Sequence, residues 1–283
     1  MACYLCGSSK NTKRDGSVRD NKDLDILECS SCGLVFLSDK EHIKDSYYEE
    51  SNMSEDLNMR EWLNETQTDD TRRYEFVKEM IKNKDVLDFG SGAGGFLLQA
   101  KSIAKSVTGI ELDTKTFSFY KTNEIKHTSN IEDLQDNSYD VITLFHVLEH
   151  LSDPLTILNL LMKKLKKGAK LIVEVPNAND VLLTLYKSTA FSHFTYWSPH
   201  LYLYNAKTLN MLFDKIENID TEFIQHIQRY PLSNHLYWLS KEKAGGHEKW
   251  GNFLDTKELS SAYESSLARI GTTDTIIAQC IKK

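Results

Sequence analysis

The chain has 283 residues, enough for one large α/β domain and a small extra module, and its 40% hydrophobic and 27% charged residues are those of an ordinary globular protein. Its formal net charge is −7, and no basic domain or stripe marks a nucleic-acid partner, so a small-molecule acceptor is expected instead. No apolar run approaches the ~20 residues of a membrane span, and the N-terminus lacks a basic start followed by an apolar stretch; a cytoplasmic protein without a membrane partner is expected.

Residues 1–38 carry two matching knuckles, Cys3-x-x-Cys6-Gly7 and Cys29-x-x-Cys32-Gly33. Each C-x-x-C turn supplies two thiolates from one tight loop, and zinc takes four such ligands in a tetrahedron. The spacing predicts a closed four-thiolate zinc site of structural type, with Cys3, Cys6, Cys29 and Cys32 as ligands and a short hairpin between the knuckles. Cys280 lies in a late apolar strand and reads as a small buried side chain. Residues 39–82 form a connecting segment rich in charge and aromatics (Tyr47, Tyr48, Trp62, Tyr74 and Phe76). Its later part, Arg72 to Ile81, has Phe76, Val77, Met80 and Ile81 at helical spacing.

From residue 83 to 283, apolar strands alternate with helical stretches, the pattern of a doubly wound, mostly parallel α/β sheet. Strands are expected at Val86–Phe89, Ser106–Ile110, Ile125–Thr128, Tyr139–Phe145 and Lys170–Val175, and later at Thr221–Arg229 and Thr275–Ile281. Helices are expected at Gly95–Ala104 and from Pro154 to Leu165, with Ser152 and Asp153 as capping residues ahead of a first-turn proline. Gly168 is expected to close that second helix, whose lysines (163, 164, 166 and 167) suit its negative end. Residues from about 231 to 272 read as a helical insertion before the last strand.

The segment Val86-Leu87-Asp88-Phe89-Gly90-Ser91-Gly92-Ala93-Gly94-Gly95-Phe96 runs from an apolar strand into a glycine-rich turn that opens a helix. Such a turn lets backbone approach a bound cofactor, and Glu111, ending the next strand, can accept hydrogen bonds from both ribose hydroxyls. Gly90, Gly92 and Gly95 also satisfy a dinucleotide fingerprint, so the glycines alone do not choose between a dinucleotide and S-adenosylmethionine. Asp88 favours the second, because a carboxylate suits a cofactor carrying an amino group and a sulfonium better than a pyrophosphate.

Asp88-x-Gly90-x-Gly92-x-Gly94 resembles the first motif of class I S-adenosylmethionine-dependent methyltransferases. In order after it, Asn130-Ile131-Glu132-Asp133-Leu134 resembles the family's adenine-contacting loop. Tyr139-Asp140-Val141-Ile142 through His146-Val147-Leu148-Glu149-His150-Leu151 resembles its fourth strand and following loop. Leu165-Lys166-Lys167-Gly168-Ala169-Lys170-Leu171 resembles its turn before the fifth strand, with Lys167 and Ala169 replacing a proline and a glycine, and Val175-Pro176-Asn177 the end of that strand. The match covers about residues 84–230. It implies a Rossmann-like fold with a seven-stranded sheet. It implies also that Asp88, Gly90, Ser91, Gly92 and Gly94 line the methionine end of the cofactor with His146 nearby, that Glu111 holds the ribose, and that Leu112, Asn130 and Ile131 meet the adenine. Asn130 stands where the family often has aspartate. The knuckles ending in Cys32-Gly33-Leu34-Val35-Phe36 resemble a subgroup acting on sugars and related small molecules.

Methyl transfer from a sulfonium needs a positioned acceptor and, for a hydroxyl, a base. His146, Glu149 and His150 leave the sheet where open α/β sheets bind ligands, and Glu149 and His150 suit an orienting acid and a base. The aromatic run Phe191-Ser192-His193-Phe194-Thr195-Tyr196-Trp197-Ser198-Pro199-His200 adds His193, Tyr196 and His200 as candidates, with Trp197 read as packing. The resulting expectation is O-methylation of a sugar, sugar nucleotide or polysaccharide precursor. The alternatives are C-methylation of a nucleotide-linked keto sugar, a nicotinamide-dependent sugar oxidoreductase, and a non-catalytic zinc-ribbon interaction protein with a degenerate methyltransferase body.

Overall fold

A computed structural model describes residues 1–43 and 58–283; Tyr47 and Tyr48 of the connecting segment lie outside the described residues. The chain builds two sheets. The first takes β1 (Asn11–Lys13), β2 (Ile26–Cys29) and β3 (Val35–Leu37) from the cysteine region. The first helix, α1 (Met59–Ile81), follows. Next come β4 (Asp85–Phe89), α2 (Gly95–Ala100), β5 (Ser106–Ile110), α3 (Phe117–Thr122), β6 (Lys126–Thr128), β7 (Tyr139–Phe145), α4 (Pro154–Lys164) and β8 (Leu165–Pro176). The chain continues through α5 (Val181–Thr184), α6 (Thr189–Ser192), β9 (Tyr202–Leu203), α7 (Ala206–Phe213) and β10 (Ile219–Ile227). Four helices, α8 (Leu232–Lys241), α9 (Gly246–Lys249), α10 (Gly251–Leu254) and α11 (Lys257–Ile270), precede β11 (Thr275–Lys282).

The larger sheet has seven strands in the order β10-β11-β8-β7-β4-β5-β6. Strands β4 to β8 pair in parallel, and β11 runs antiparallel between β10 and β8. The order reverses at β4, whose neighbours are β5 on one side and β7 on the other, so a crevice opens beyond the carboxyl ends of these three strands. The central strands read as continuous apolar runs because helices cover both faces. Val77 and Ile81 of α1 pack with Val86, Phe96, Leu97 and Val107 on one face. Leu158 and Leu161 of α4 pack with Leu144 and Leu171 in the second cluster.

The smaller sheet joins the cysteine region to the body. Its order is β1-β2-β3-β9, and β9 comes from beyond residue 200. Val35 pairs with Leu203 and Phe36 with Tyr202. Leu5, Leu34, Val35 and Phe36 are buried in one cluster with Leu148, Leu201 and Leu209. Tyr4 also donates a 2.5 Å hydrogen bond to Asp153, the residue that caps α4.

Asp153 accepts from the Thr156 amide with Pro154 in the first turn, as the sequence predicts. Three helix boundaries differ. Helix α1 starts at Met59, thirteen residues before its apolar spacing becomes regular, because Asn58 and Glu61 form a reciprocal cap there. Helix α2 stops at Ala100 rather than Ala104. Helix α4 ends at Lys164, and Gly168 falls inside β8 instead of closing the helix. Leu165 is already drawn into pairing with Tyr139, and Lys166 bridges Asp85 and Asp140 at 3.0 and 2.9 Å.

Candidate active site

A cavity of about 770 Å³ occupies the crevice at the carboxyl ends of β4, β5 and β7. At one end stands the glycine turn. The amides of Gly90 and Ser91 donate to the carbonyl of Ile110 at 2.8 and 3.0 Å, tying the turn to the neighbouring strand. Gly90 has φ of +72°, and a Cβ there would lie 2.4 Å from the Val147 side chain, so the loop after β7 seats directly on the turn. Gly94, at φ +77°, faces the Tyr120 ring in the same way. These two glycines are thus required by packing as well as by access to the cavity.

Two carboxylates flank the turn. Asp88 is buried and accepts from Thr143 Oγ1 at 2.7 Å; burial pushes its pKa up to about 7. Glu111 is held by three backbone amides: Leu112 and Asp113 donate to Oε1 at 2.7 and 3.0 Å, and Gly92 donates to Oε2 at 2.7 Å. Burial nonetheless leaves its pKa raised, against those donors. Glu111 therefore fastens the glycine turn to the end of β5. Leu112, Asn130 and Ile131 line the cavity beside it. The side-chain oxygen of Asn130 already accepts from the Glu132 amide at 2.9 Å, which fixes that short turn.

At the other end, β7 runs into His146, whose backbone is left-handed at φ +57°, an uncommon conformation for histidine and one that turns the chain sharply. His146 Nδ1 lies 3.2 Å from Glu149 Oε1. Glu149 is fully buried. Desolvation alone would raise its pKa, but the His146 contact and the neighbouring histidines outweigh it and bring the value to about 2. His150 places Nδ1 3.1 Å from the carbonyl of Pro199, and its ring meets His200 edge to face with centroids 4.8 Å apart. Burial lowers the pKa of both, and His200, with His150 beside it, is pushed down to about 3, so both rings are neutral near pH 7. The Leu201 amide donates to the Glu149 carbonyl at 2.8 Å, binding the two loops together.

The cavity thus brings together His146, Glu149, His150 and His200 with all of the proposed cofactor residues, Asp88, Gly90, Ser91, Gly92, Gly94, Glu111, Leu112, Asn130 and Ile131. His193 and Tyr196 are elsewhere. His193 turns back onto the carbonyl of Thr189 at 2.8 Å, and Tyr196 is buried against Gly16 of the cysteine region, so neither side chain lines the cavity. Trp197 does line it, with its edge toward His150 and His200.

Two further walls escape sequence reasoning. Trp62, Asp69, Asp70 and Arg73 of α1 lie over the cavity, and Arg229 and Tyr230 close it from the end of β10. Arg229 pairs with Asp69 through Nε at 3.0 and 3.1 Å and places Nη1 3.3 Å from His146 Nε2. Arg72 and Arg73 converge on Glu174, which is fully buried on β8; desolvation opposes its ionisation, but these cations and His146 hold its pKa well below the usual range. The signal available was spacing: positions 62, 69 and 73 recur on one helical face.

Away from the cavity, the four knuckle sulfurs lie within 4.8 Å of one another, and Cys3–Cys32 and Cys6–Cys29 are 3.6 and 3.5 Å apart. The two knuckles share one backbone pattern. Gly7 donates to the Cys3 carbonyl and Gly33 to the Cys29 carbonyl, each at 2.8 Å. All four thiols are free of disulfides. Soft donors at this spacing fit a single tetrahedral ion. Among the described residues no helix is long and apolar enough to cross a membrane.

Residues 59–217 match the family model described as a methyltransferase domain. A ubiquinone biosynthesis O-methyltransferase of Hydrogenovibrio crunogenus is 30% identical over 122 residues, 38% of this chain and 49% of that protein. One from Idiomarina loihiensis is 32% identical over 127 residues, 41% of this chain and 51% of that protein. The chain thus spans about half the length of the curated relatives it matches. Among solved structures, a SAM-dependent methyltransferase from Thermotoga maritima superposes with a TM-score of 0.52 at 18% identity, over 79% of this chain and 94% of that one, a likeness of fold.

Proposed function

The chain belongs to the methyltransferase-domain family, and from that membership we propose that it binds S-adenosylmethionine in the 770 Å³ cavity and transfers the methyl group to a hydroxyl of a small polar acceptor. The observation that carries this reading is the single cavity in which Asp88, Glu111 and the histidine cluster all meet. The donor set fits the cofactor. Buried Asp88 faces a place where a cationic amino group would replace its proton, Glu111 stands ready-oriented for ribose hydroxyls, and Leu112 and Ile131 offer apolar flanks for a purine. Arg73 and Trp62 would cover the methionine end. Bound S-adenosylmethionine supplies a methyl already activated on a sulfonium, so the chain's own contribution is placement and proton management.

His146, Glu149, His150 and His200 make up the acceptor end. Ionised Glu149 orients His146, and neutral His150 accepts the hydroxyl proton as the new C–O bond forms. The O-methyltransferase name of the relatives supports O-methylation over C-methylation of a keto sugar, and neutral imidazoles supply the base that either reaction needs. The knuckle resemblance supports a sugar or sugar nucleotide as acceptor, and the four thiolates would hold a structural zinc. With the family settled, the nicotinamide alternative left open by the glycines is set aside. A radiolabelled-methyl assay over sugar nucleotides, sugar phosphates and hydroxylated ubiquinone precursors tests the reading. Transfer to a sugar-class hydroxyl supports it, transfer only to the quinone precursors moves the acceptor class, and cofactor binding without transfer to any acceptor favours the interaction-protein alternative.

A further inference from the structure

Glu149 carries an anomaly. Its Oε1 meets His146, but its Oε2 is buried without a hydrogen-bond partner among the described residues. An ionised carboxylate oxygen removed from water and left unsatisfied is costly, and such a group calls for an ordered water or an ion. Around it stand the rings of His150 and His200, and one donor atom from each of Glu149, His150 and His200 lies within 4.8 Å of the others. An ion about 2.0–2.2 Å from each donor would draw these atoms inward, to about 4.4 Å apart at most, a side-chain adjustment rather than a rearrangement of the loops.

The tautomer agrees. The contact of His150 Nδ1 with the Pro199 carbonyl requires that nitrogen to carry the proton, which puts the ring's lone pair on Nε2. Metal-ligating histidines characteristically donate their other N–H to a carbonyl or carboxylate. His146, bonded to Glu149 Oε1, likewise orients the carboxylate from behind. Two imidazoles and one carboxylate suit zinc, iron or cobalt rather than calcium or magnesium.

We propose that Glu149, His150 and His200 form a second metal site, taking a divalent transition ion in the acceptor end of the cavity. Three protein ligands leave at least one position open, in contrast to the closed four-thiolate set of the knuckles. The open position faces the cavity and would take an acceptor oxygen; this last point rests on the methyltransferase reading. Coordination would make the hydroxyl more acidic, and with His150 serving as a ligand in place of the base named above, the proton would pass to solvent in the cavity.

The test uses the full chain, equilibrated with excess zinc and desalted, with bound zinc counted by mass spectrometry and S-adenosylmethionine affinity measured in parallel. The wild type should hold two zinc ions, and His200→Ala and Glu149→Gln should each hold one. Cobalt added to protein that keeps only the knuckle zinc, the three-ligand site having first been emptied with a mild chelator, should give weak visible d–d bands without a thiolate charge-transfer band, absent in His200→Ala, a readout that stands even where Glu149→Gln fails to fold. One zinc in wild type and variants alike, with no cobalt signal and normal cofactor affinity, overturns the metal site and leaves the methyltransferase reading intact. Two ions with no cofactor affinity keeps the site and defeats that reading.

Discussion

Arg72 grips Glu174 with both ends of its guanidinium, Nη1 to Oε2 at 2.8 Å and Nη2 to Oε1 at 2.9 Å. The pair joins the first helix to the middle of the seven-stranded sheet across 102 residues of chain. Glu174 is fully buried, and Arg73 adds a third bond at 3.0 Å from Nε. The roof of the cavity is thus pinned to its floor by charge.

Glu174→Gln should destabilise the protein by about 3–5 kcal/mol, since it leaves two guanidinium groups facing a neutral amide in a buried setting. Urea denaturation with two probes measures this. A loss below about 1 kcal/mol would mean that the network is solvent-screened and holds nothing.

Asp88 predicts a pH dependence. The folded chain holds a proton at Asp88 up to about pH 7, whereas an unfolded aspartate has lost it by about pH 5. The native state therefore binds more protons over that interval, and this group's contribution makes stability fall as pH rises toward 7. A cationic cofactor favours the ionised form, so S-adenosylmethionine affinity should climb with pH below 7, by at most about tenfold per unit. Asp88→Asn should bind weakly and flatten the profile; calorimetry across that range gives the comparison, and parallel slopes in both proteins would remove Asp88 from the site.

Glu111→Ala should weaken cofactor binding by at least about 100-fold, the lower bound for two hydrogen bonds to a charged group. It should also loosen the glycine turn, because three amides lose their acceptor. Hydrogen exchange at Gly92, Leu112 and Asp113 separates the two effects. Unchanged affinity together with faster exchange would assign Glu111 to scaffolding alone.

His150→Ala should lower kcat by about 10²- to 10⁴-fold, whether the ring takes the proton itself or holds an ion. Cofactor affinity should stay as it is, because the ring belongs to the acceptor end. Normal turnover would hand the acceptor chemistry to His146 and His200.

A mercurial that attacks thiolates should release about one zinc per chain, the complement of one four-cysteine site. Near-ultraviolet circular dichroism should change with the release. Metal-free protein with an unaltered spectrum and melting point would defeat the structural assignment.

The strand–turn–helix at Val86–Phe96 was legible because local chemistry writes it: an apolar run, positive-φ glycines, and an acid one strand later. The knuckles were legible for the same reason. What escaped was long-range. Arg229 and Asp69 meet 160 residues apart, and nothing local in either segment marks the other. Gly168 looked like a helix stop because a glycine after lysines usually is one, yet pairing of Leu165 with Tyr139 ended the helix earlier. Tyr196 and His193 share a tract with His200, but the short turns between them aim the three side chains in different directions, and sequence proximity could not separate them.

Leu201 stands at a mechanical junction. Its carbonyl receives the amide of Leu37, at the far end of the ribbon's third strand, at 3.1 Å, and its own amide reaches Glu149. Two hydrogen bonds through one residue therefore join the thiol knuckles' sheet to the backbone of Glu149. An oxidant or chelator acting on the knuckles is therefore expected to slacken the loop that carries Glu149, and with it the proposed acceptor wall, while leaving the glycine turn on β4 and β5 in place.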